Sequence, residues 1–229
     1  MAVYAIGDTH LSLGTDKSME VFGGDWTGYV DKLRDGFSQV NEDDVVVLCG
    51  DLSWGMSLEE AREDFLFLDR ELPGEKWLIK GNHDYWWTTA SKMNGFFRDN
   101  GMNRLHILHN NCAFYGETAL CGTRGWFYEE NGGAQTEKVF RRELIRLETS
   151  LKAAGDRERY CFLHYPPLYK GYRCQEILDL LSRYRVKSCY YGHLHGPSHR
   201  LAIEGKVDGV DYRLVSADYL GFAPKKILD

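Results

Sequence analysis

Five short polar clusters in this sequence combine aspartate, histidine and asparagine with neighbouring small residues. They are Asp8 and His10 in G-D-T-H, Asp51 in C-G-D-L, and Asn82, His83 and Asp84 in G-N-H-D. His164 follows in L-H-Y-P-P, then His193 and His195 in Y-G-H-L-H. Carboxylates, imidazoles and one amide suit the borderline divalent metals Mn, Fe, Co, Ni or Zn. The set contains no thiolate, and its imidazoles argue against a calcium cage. Asp8, His10, Asp51, Asn82, His164, His193 and His195 make seven candidate ligands, too many for one tetrahedral ion but suited to two ions sharing a bridging carboxylate. In D-x-H and H-x-H, residues two apart on an extended backbone point the same way, so each pair can converge on one centre. Alone, a G-D or an H-x-H is turn chemistry. Together the clusters take five of the eight histidines, and each ends an apolar run. His106, His109 and His199 have no such context and are expected to be structural or surface residues.

Those apolar runs are strand-like and alternate with helix-like segments, which predicts an α/β layered domain. Strands are expected at Ala2–Ile6, Asp44–Leu48, Lys76–Ile79, Leu105–Leu108, Cys112–Tyr115, Thr118–Cys121, Tyr160–His164 and Ser188–Tyr191. A hairpin is expected from Leu201–Glu204 and Asp211–Ser216. Helices are expected from the capping box at Ser57–Glu60, over Thr89–Asn100 with Gly101 as its cap, over Glu137–Ala154 and over Gln175–Tyr184. This amounts to roughly ten strands and four or five helices in one domain spanning residues 1–229. In open α/β sheets ligands bind beyond the carboxyl ends of strands, so the five clusters can meet.

Taken as a set, D-x-H, G-D, G-N-H-D, H-Y-P-P and G-H-x-H resemble the calcineurin-like metallophosphoesterase family, of the small bacterial phosphohydrolase type. The resemblance runs from Asp8 to His195. It implies a four-layer α/β/β/α sandwich, two mixed sheets flanked by helices, and hydrolysis of phosphate esters at a dinuclear centre of divalent or mixed-valence ions, Mn, Fe or Zn. It implies Asp8, His10, Asp51 and His195 around one ion, and Asp51, Asn82, His164 and His193 around the other. Asp51 would bridge them. His83 would be the catalytic histidine, hydrogen-bonded to Asp84, whose carboxylate would favour the protonated imidazole. Two ions about 3.5–4 Å apart can share a bridging hydroxide as nucleophile, and two dications outweigh two aspartates enough to attract phosphate.

The substrate expected is a phosphorylated small molecule or nucleotide, as monoester or diester. After Asp51 the chain reads L-S-W-G, without the acidic and arginine residues of serine/threonine protein phosphatases. The tyrosine loop of purple acid phosphatases is missing from the first cluster. Both activities are therefore disfavoured, as is a non-catalytic interaction module, which would be expected to lose ligands. Trp54, Trp86 and Arg124 are candidate substrate contacts, by stacking and by a guanidinium fork. Trp126, Phe127 and Tyr128 are more readily core. Arg141 and Arg142 are expected on a solvated helix face. Gly23–Gly28 lacks the Lys-Ser/Thr of a phosphate loop and reads as an ordinary loop, and 129–135 reads as a lid at best. A net charge of −6 with no basic run argues against a stable nucleic-acid partner. No apolar stretch approaches the roughly 20 residues of a membrane span. The six cysteines lack C-x-x-C spacing, and with no signal-like start they suggest free thiols in the cytoplasm.

Overall fold

The computed structural model describes residues 1–127 and 133–229, and all side chains except those of 128–135. Tyr128 and the side chains of the expected lid over 129–135 lie outside the described residues. Two large mixed sheets build the molecule. In the first, β1 (Val3–Ile6), β2 (Val45–Leu48), β3 (Glu75–Leu78) and β4 (Leu105–Ile107) run parallel in that order. β13 (Lys225–Leu228) closes the β1 edge antiparallel. The second sheet is ordered β11 (Gly205–Val207), β12 (Val210–Leu214), β10 (Val186–Tyr191), β7 (Glu158–Leu163), β6 (Thr118–Thr123) and β5 (Cys112–Tyr115). Its four inner strands are parallel, while β11 and β5 are antiparallel edges. A small hairpin, β8 (Leu168–Tyr169) and β9 (Tyr172–Arg173), stands apart.

Strand alternation sorts the apolar residues into three layers. Val3, Ala5, Val45 and Val47 of the first sheet meet Leu120, Tyr160, Phe162 and Tyr190 of the second in a common core between the sheets. On the outer face of the first sheet, Tyr4, Ile6, Val46 and Leu48 pack against α1 (Tyr29–Phe37), α2 (Arg62–Arg70) and α3 (Ala90–Asp99). On the outer face of the second, Cys121, Cys161, Leu163 and Cys189 pack against α4 (Gly133–Ala153) and α5 (Gln175–Arg183). Helices, sheet, sheet and helices make the expected four layers.

Local expectations fared unevenly. Thr89 caps α3 by accepting from the Lys92 amide, and Gly101 sits at φ 68° just past its end. At Ser57–Glu60 the Ser57 hydroxyl accepts from the Glu60 amide, but Glu60 reaches back to the Met56 amide. That cap closes a turn, and α2 itself starts only at Arg62. The expected hairpin is displaced: its first strand is Gly205–Val207, and the reversal falls at Asp208 and Gly209, both with positive φ. Helix α1 and strands β8, β9 and β13 were not anticipated. All six thiols are free, and no described helix is long and apolar enough to cross a membrane.

One buried charge sits far from the polar clusters. Lys76 is fully buried on β3, with its ammonium donating to the Leu72 carbonyl. Burial, reinforced by Arg104, pushes its pKa down to about 8. Between that value and the ordinary one near 10.5 the unfolded chain binds more protons than the folded one, so stability contributed by this group rises with pH across that window. Lys76→Met is expected to stabilise the fold by about 1–2 kcal/mol at pH 7. The difference from wild type should shrink towards about pH 10 in chemical denaturation. A variant less stable at neutral pH, or a difference independent of pH, would contradict this.

Candidate metal centre

The five clusters leave the carboxyl ends of β1, β2, β3, β7 and β10, and backbone hydrogen bonds knit them together. The Asp8 amide donates to the Gly50 carbonyl (2.8 Å), His10 to Asp51 (2.9 Å) and Gly192 to His164 (3.0 Å). Gly7 donates to Val215 at 2.7 Å, carrying the end of β1 across to the second sheet. Glycine is required where these loops touch. A Cβ on Gly81 would overlap the carboxylate of Asp51, and one on Gly192 the carboxylate of Asp8. Eight non-glycine residues have positive φ among the described residues, and four of them are Asp8, His10, Asp51 and His193. That conformation is strained for side chains with a Cβ and gathers at functional sites.

The structure brings the candidate ligands into two adjacent groups. Asp8, His10 and His195 form one, and Asp51, His164 and His193 the other, with ligand atoms inside each group within 4.8 Å of one another. D-x-H therefore converges, although on left-handed rather than extended backbone, whereas H-x-H divides between the groups. Asn82 joins the second group, its Oδ1 2.6 Å from His164 Nε2. One oxygen lies between the groups: Asp51 Oδ2 is 3.8 Å from His10 Nε2 and 3.5 Å from His164 Nε2. Asp51 Oδ1 accepts from the His83 amide at 2.7 Å, which fixes the carboxylate in that pose.

Two features are hard to reconcile with protein atoms alone. Asp8 Oδ1 is buried without a hydrogen-bond partner. With His164 Nδ1 donating to the Cys49 carbonyl (3.0 Å), its Nε2 lone pair faces the Asn82 oxygen, acceptor against acceptor. The 3.3 Å between His10 Nε2 and His195 Nε2 is a hydrogen bond while His195 is protonated, and it is equally a separation that two nitrogens on one ion would show. Atoms bound to one ion at about 2.0–2.2 Å lie about 3–4 Å from each other, and His10–His195 (3.3 Å), His195–Asp8 (3.5 Å) and His164–Asp51 (3.5 Å) fall in that range, as a borderline divalent ion requires.

Electrostatics point the same way for three of the imidazoles, while His195 and Asp51 hold protons that a bound cation would displace. Burial, then the charge of His195, pushes His10 down to about 3. Burial, then His164, does the same to His193, and burial also lowers His164. These imidazoles are held neutral, as ligands must be. Burial opposes charge on Asp8 as well, but His195 and its neighbours hold this carboxyl well below the usual range. Burial and then Asp8 raise Asp51 to about 7. Against burial, Asp8 and Asp218 raise His195 to about 10.

Asp218 was not foreseen. Its Oδ1 lies 3.1 Å from His195 Nδ1 and its Oδ2 accepts from the Gly196 amide, the carboxylate–imidazole pairing that orients metal-binding histidines. His199 packs beside it, 3.2 Å from Oδ2. Trp26, delivered by the glycine-rich loop, contacts the His10 and His195 rings.

Two expectations need correction. Asp84 is not hydrogen-bonded to His83. Its fully buried carboxylate accepts from the amides of Gly81 (2.7 Å), Asp51 (2.9 Å) and Leu52 (2.8 Å) and from the Trp86 indole (3.0 Å). His83 Nδ1 has no hydrogen-bond partner. Burial, then the charges of His164 and His195, lowers the His83 pKa, opposite to the protonated form expected from a carboxylate neighbour. Trp86 is likewise unavailable to substrate: it is buried against Phe65 and Trp87. Trp54 stays at the site, stacked on His10 at 5.0 Å and tilted on His83 at 4.6 Å. Arg124 also borders it, its carbonyl accepting from the His164 amide. Arg141 and Arg142 are exposed, as expected.

Comparison with known proteins agrees with this architecture. A solved protein of unknown function from Aquifex aeolicus superposes with a TM-score of 0.52 at 13% identity, covering 98% of this chain and 95% of that one. The solved protein TT1561 of Thermus thermophilus gives 0.53 at 13% identity, covering 84% of this chain and 81% of that one. At that identity the likeness speaks for the fold alone. No curated protein sequence matches. The family model for the calcineurin-like phosphoesterase matches residues 1–197. That span contains all five polar clusters, and the chain belongs to the calcineurin-like phosphoesterase family.

Proposed function

We propose that this chain, a single domain over residues 1–229, is a dinuclear metal-dependent hydrolase of phosphate esters acting on small molecules or nucleotides. The observation that carries this reading is the single Asp51 oxygen facing both ligand groups, 3.8 Å from His10 and 3.5 Å from His164. Asp8, His10, Asp51 and His195 would hold one ion, and Asp51, Asn82, His164 and His193 the other. When bound, such ions polarise phosphoryl oxygens and make water acidic enough to attack at neutral pH. Mn, Fe and Zn all suit the donors, and six free thiols favour a reducing compartment such as the cytoplasm.

The protein's own groups do the rest. His83 stands beside both ligand groups, its ring 5.7 Å from that of His10, with an unpartnered Nδ1. It is placed to donate a proton or hydrogen bond to the departing alkoxide. Trp54 holds the His83 and His10 rings in place. Asp84 acts on the chemistry only by positioning, through the turn that carries Asn82 and His83. Asp218 fixes the tautomer of His195.

Metal-reconstituted protein is expected to hydrolyse an aryl phosphate or its bis-aryl diester, and then members of a nucleotide panel. Protein carrying two ions per chain yet inert to all of these would favour a non-catalytic module on the same fold. Asp51→Asn should lower occupancy of both ions, measured by elemental analysis after dialysis; loss of only one would remove the bridging role. His83→Ala should keep both ions while kcat falls roughly 10²–10⁴-fold. Unchanged kcat would remove its role in leaving-group departure.

A further inference from the structure

Beside the proposed metal centre lies a cavity of about 530 Å³, walled by Lys80, Arg124, Arg146 and His109 and by a single carboxylate, Glu143. That carboxylate is already engaged. It accepts from the Thr123 hydroxyl (2.7 Å), the Gly125 amide (2.9 Å) and the Arg146 guanidinium (3.1 Å). Among the described residues, Arg146–Glu143 is the ion pair of this cavity, and neither Lys80 nor Arg124 has a carboxylate partner. Arg124 Nε is buried and unpartnered. Its Nη2 reaches the Tyr165 hydroxyl at a long 3.5 Å, and the guanidinium lies 5.5 Å from that ring.

Two residues of the cavity wall connect it to the proposed metal centre. Lys80 is two residues before Asn82. The Arg124 carbonyl accepts from the His164 amide, and the Tyr165 ring beneath its guanidinium lies tilted, 4.4 Å from the ring of His193. Three cations against one committed carboxylate leave a local excess of two positive charges in a half-enclosed space. Packing does not account for that excess, because uncompensated half-buried charge costs free energy. A guanidinium and an ammonium converging on one space are suited to bind an oxyanion. The volume, in the range of small-molecule sites, exceeds what one phosphate fills.

We propose that this cavity receives a second anionic group of the substrate, a phosphoryl or carboxylate group separate from the ester being cleaved. The inference rests on the phosphoesterase reading of the neighbouring site and narrows it to esters with two separated anionic groups, with Arg124 lying between the two positions.

Anion binding can be read without hydrolysis. Metal-free protein titrated with inorganic phosphate, and separately with succinate, is expected to bind at least one of them saturably, followed by calorimetry and by the fluorescence of Trp87 in the cavity wall. The tighter anion identifies the class of the second group. Lys80→Met, which breaks no ion pair, should weaken binding roughly tenfold or more while the thermal melting point is retained. Arg146→Met serves as the second variant. In metal-loaded protein, Lys80→Met should raise KM for a nucleoside 3′,5′-bisphosphate by roughly tenfold and for the matching 5′-monophosphate much less. No saturable binding, binding unchanged in both variants, or an equal KM rise on both nucleotides would overturn the proposal. Variant-sensitive anion binding in a protein that hydrolyses no ester would leave the cavity assignment standing and remove the phosphoesterase reading instead.

Discussion

Asp84 is a fully buried carboxylate with its oxygens directed at the protein's own backbone. Through the amides of Gly81, Asp51 and Leu52 and the indole of Trp86, it ties the loop after β2 to the loop after β3. Each of the three backbone donors would otherwise be a buried, unsatisfied N–H just past the end of a parallel strand, costing about 1–3 kcal/mol. The consequences spread outward. With the Asp51 amide fixed, its carboxylate turns one oxygen to the His83 amide and the other to both ligand groups. With Gly81 fixed, Asn82 faces His164.

A site assembled this way works against its own stability. Four ligand candidates sit in the left-handed region, Asp8 has an orphaned oxygen, and three imidazoles are kept neutral, above all by burial. Surrounding rigidity sustains such an arrangement: the four-layer packing on both sides, and the lateral hydrogen bonds that join the clusters to neighbouring strands. Cations at the two groups would relieve the His164–Asn82 acceptor–acceptor contact and the orphaned Asp8 oxygen at once, so ligand binding and fold stability are expected to be linked.

Much of this was legible from the chain because the informative features are local. Each candidate ligand stands within a few residues of a glycine or proline, and the donor types alone point to a borderline metal. The strands buried on both faces show as unbroken apolar runs, V-V-V-L and Y-C-F-L, whose alternate residues feed the two layers. What was missed depends on distance or on competing local patterns. Asp218 lies 23 residues from the His195 it orients, in a segment with no motif. Trp86 and Asp84 were misjudged because sequence adjacency to His83 says nothing about which side of a turn each faces. The apolar run at Leu201–Ile203 outweighed the Asp208-Gly209 reversal that sets the hairpin register. Helix α1 had a readable signal in Tyr29, Leu33 and Phe37, all buried at a spacing of four.

The claim that most of this rests on is that Asp84 organises the metal centre without touching it. Asp84→Asn tests it directly, because an amide of the same shape must turn N–H groups towards donors that now meet no acceptor. Metal content and affinity of the purified variant, with its fold checked by circular dichroism, give the answer. The account predicts a folded protein whose affinity at both groups is weakened, roughly 10–100-fold. Two tightly held ions per chain with kcat unchanged would contradict it.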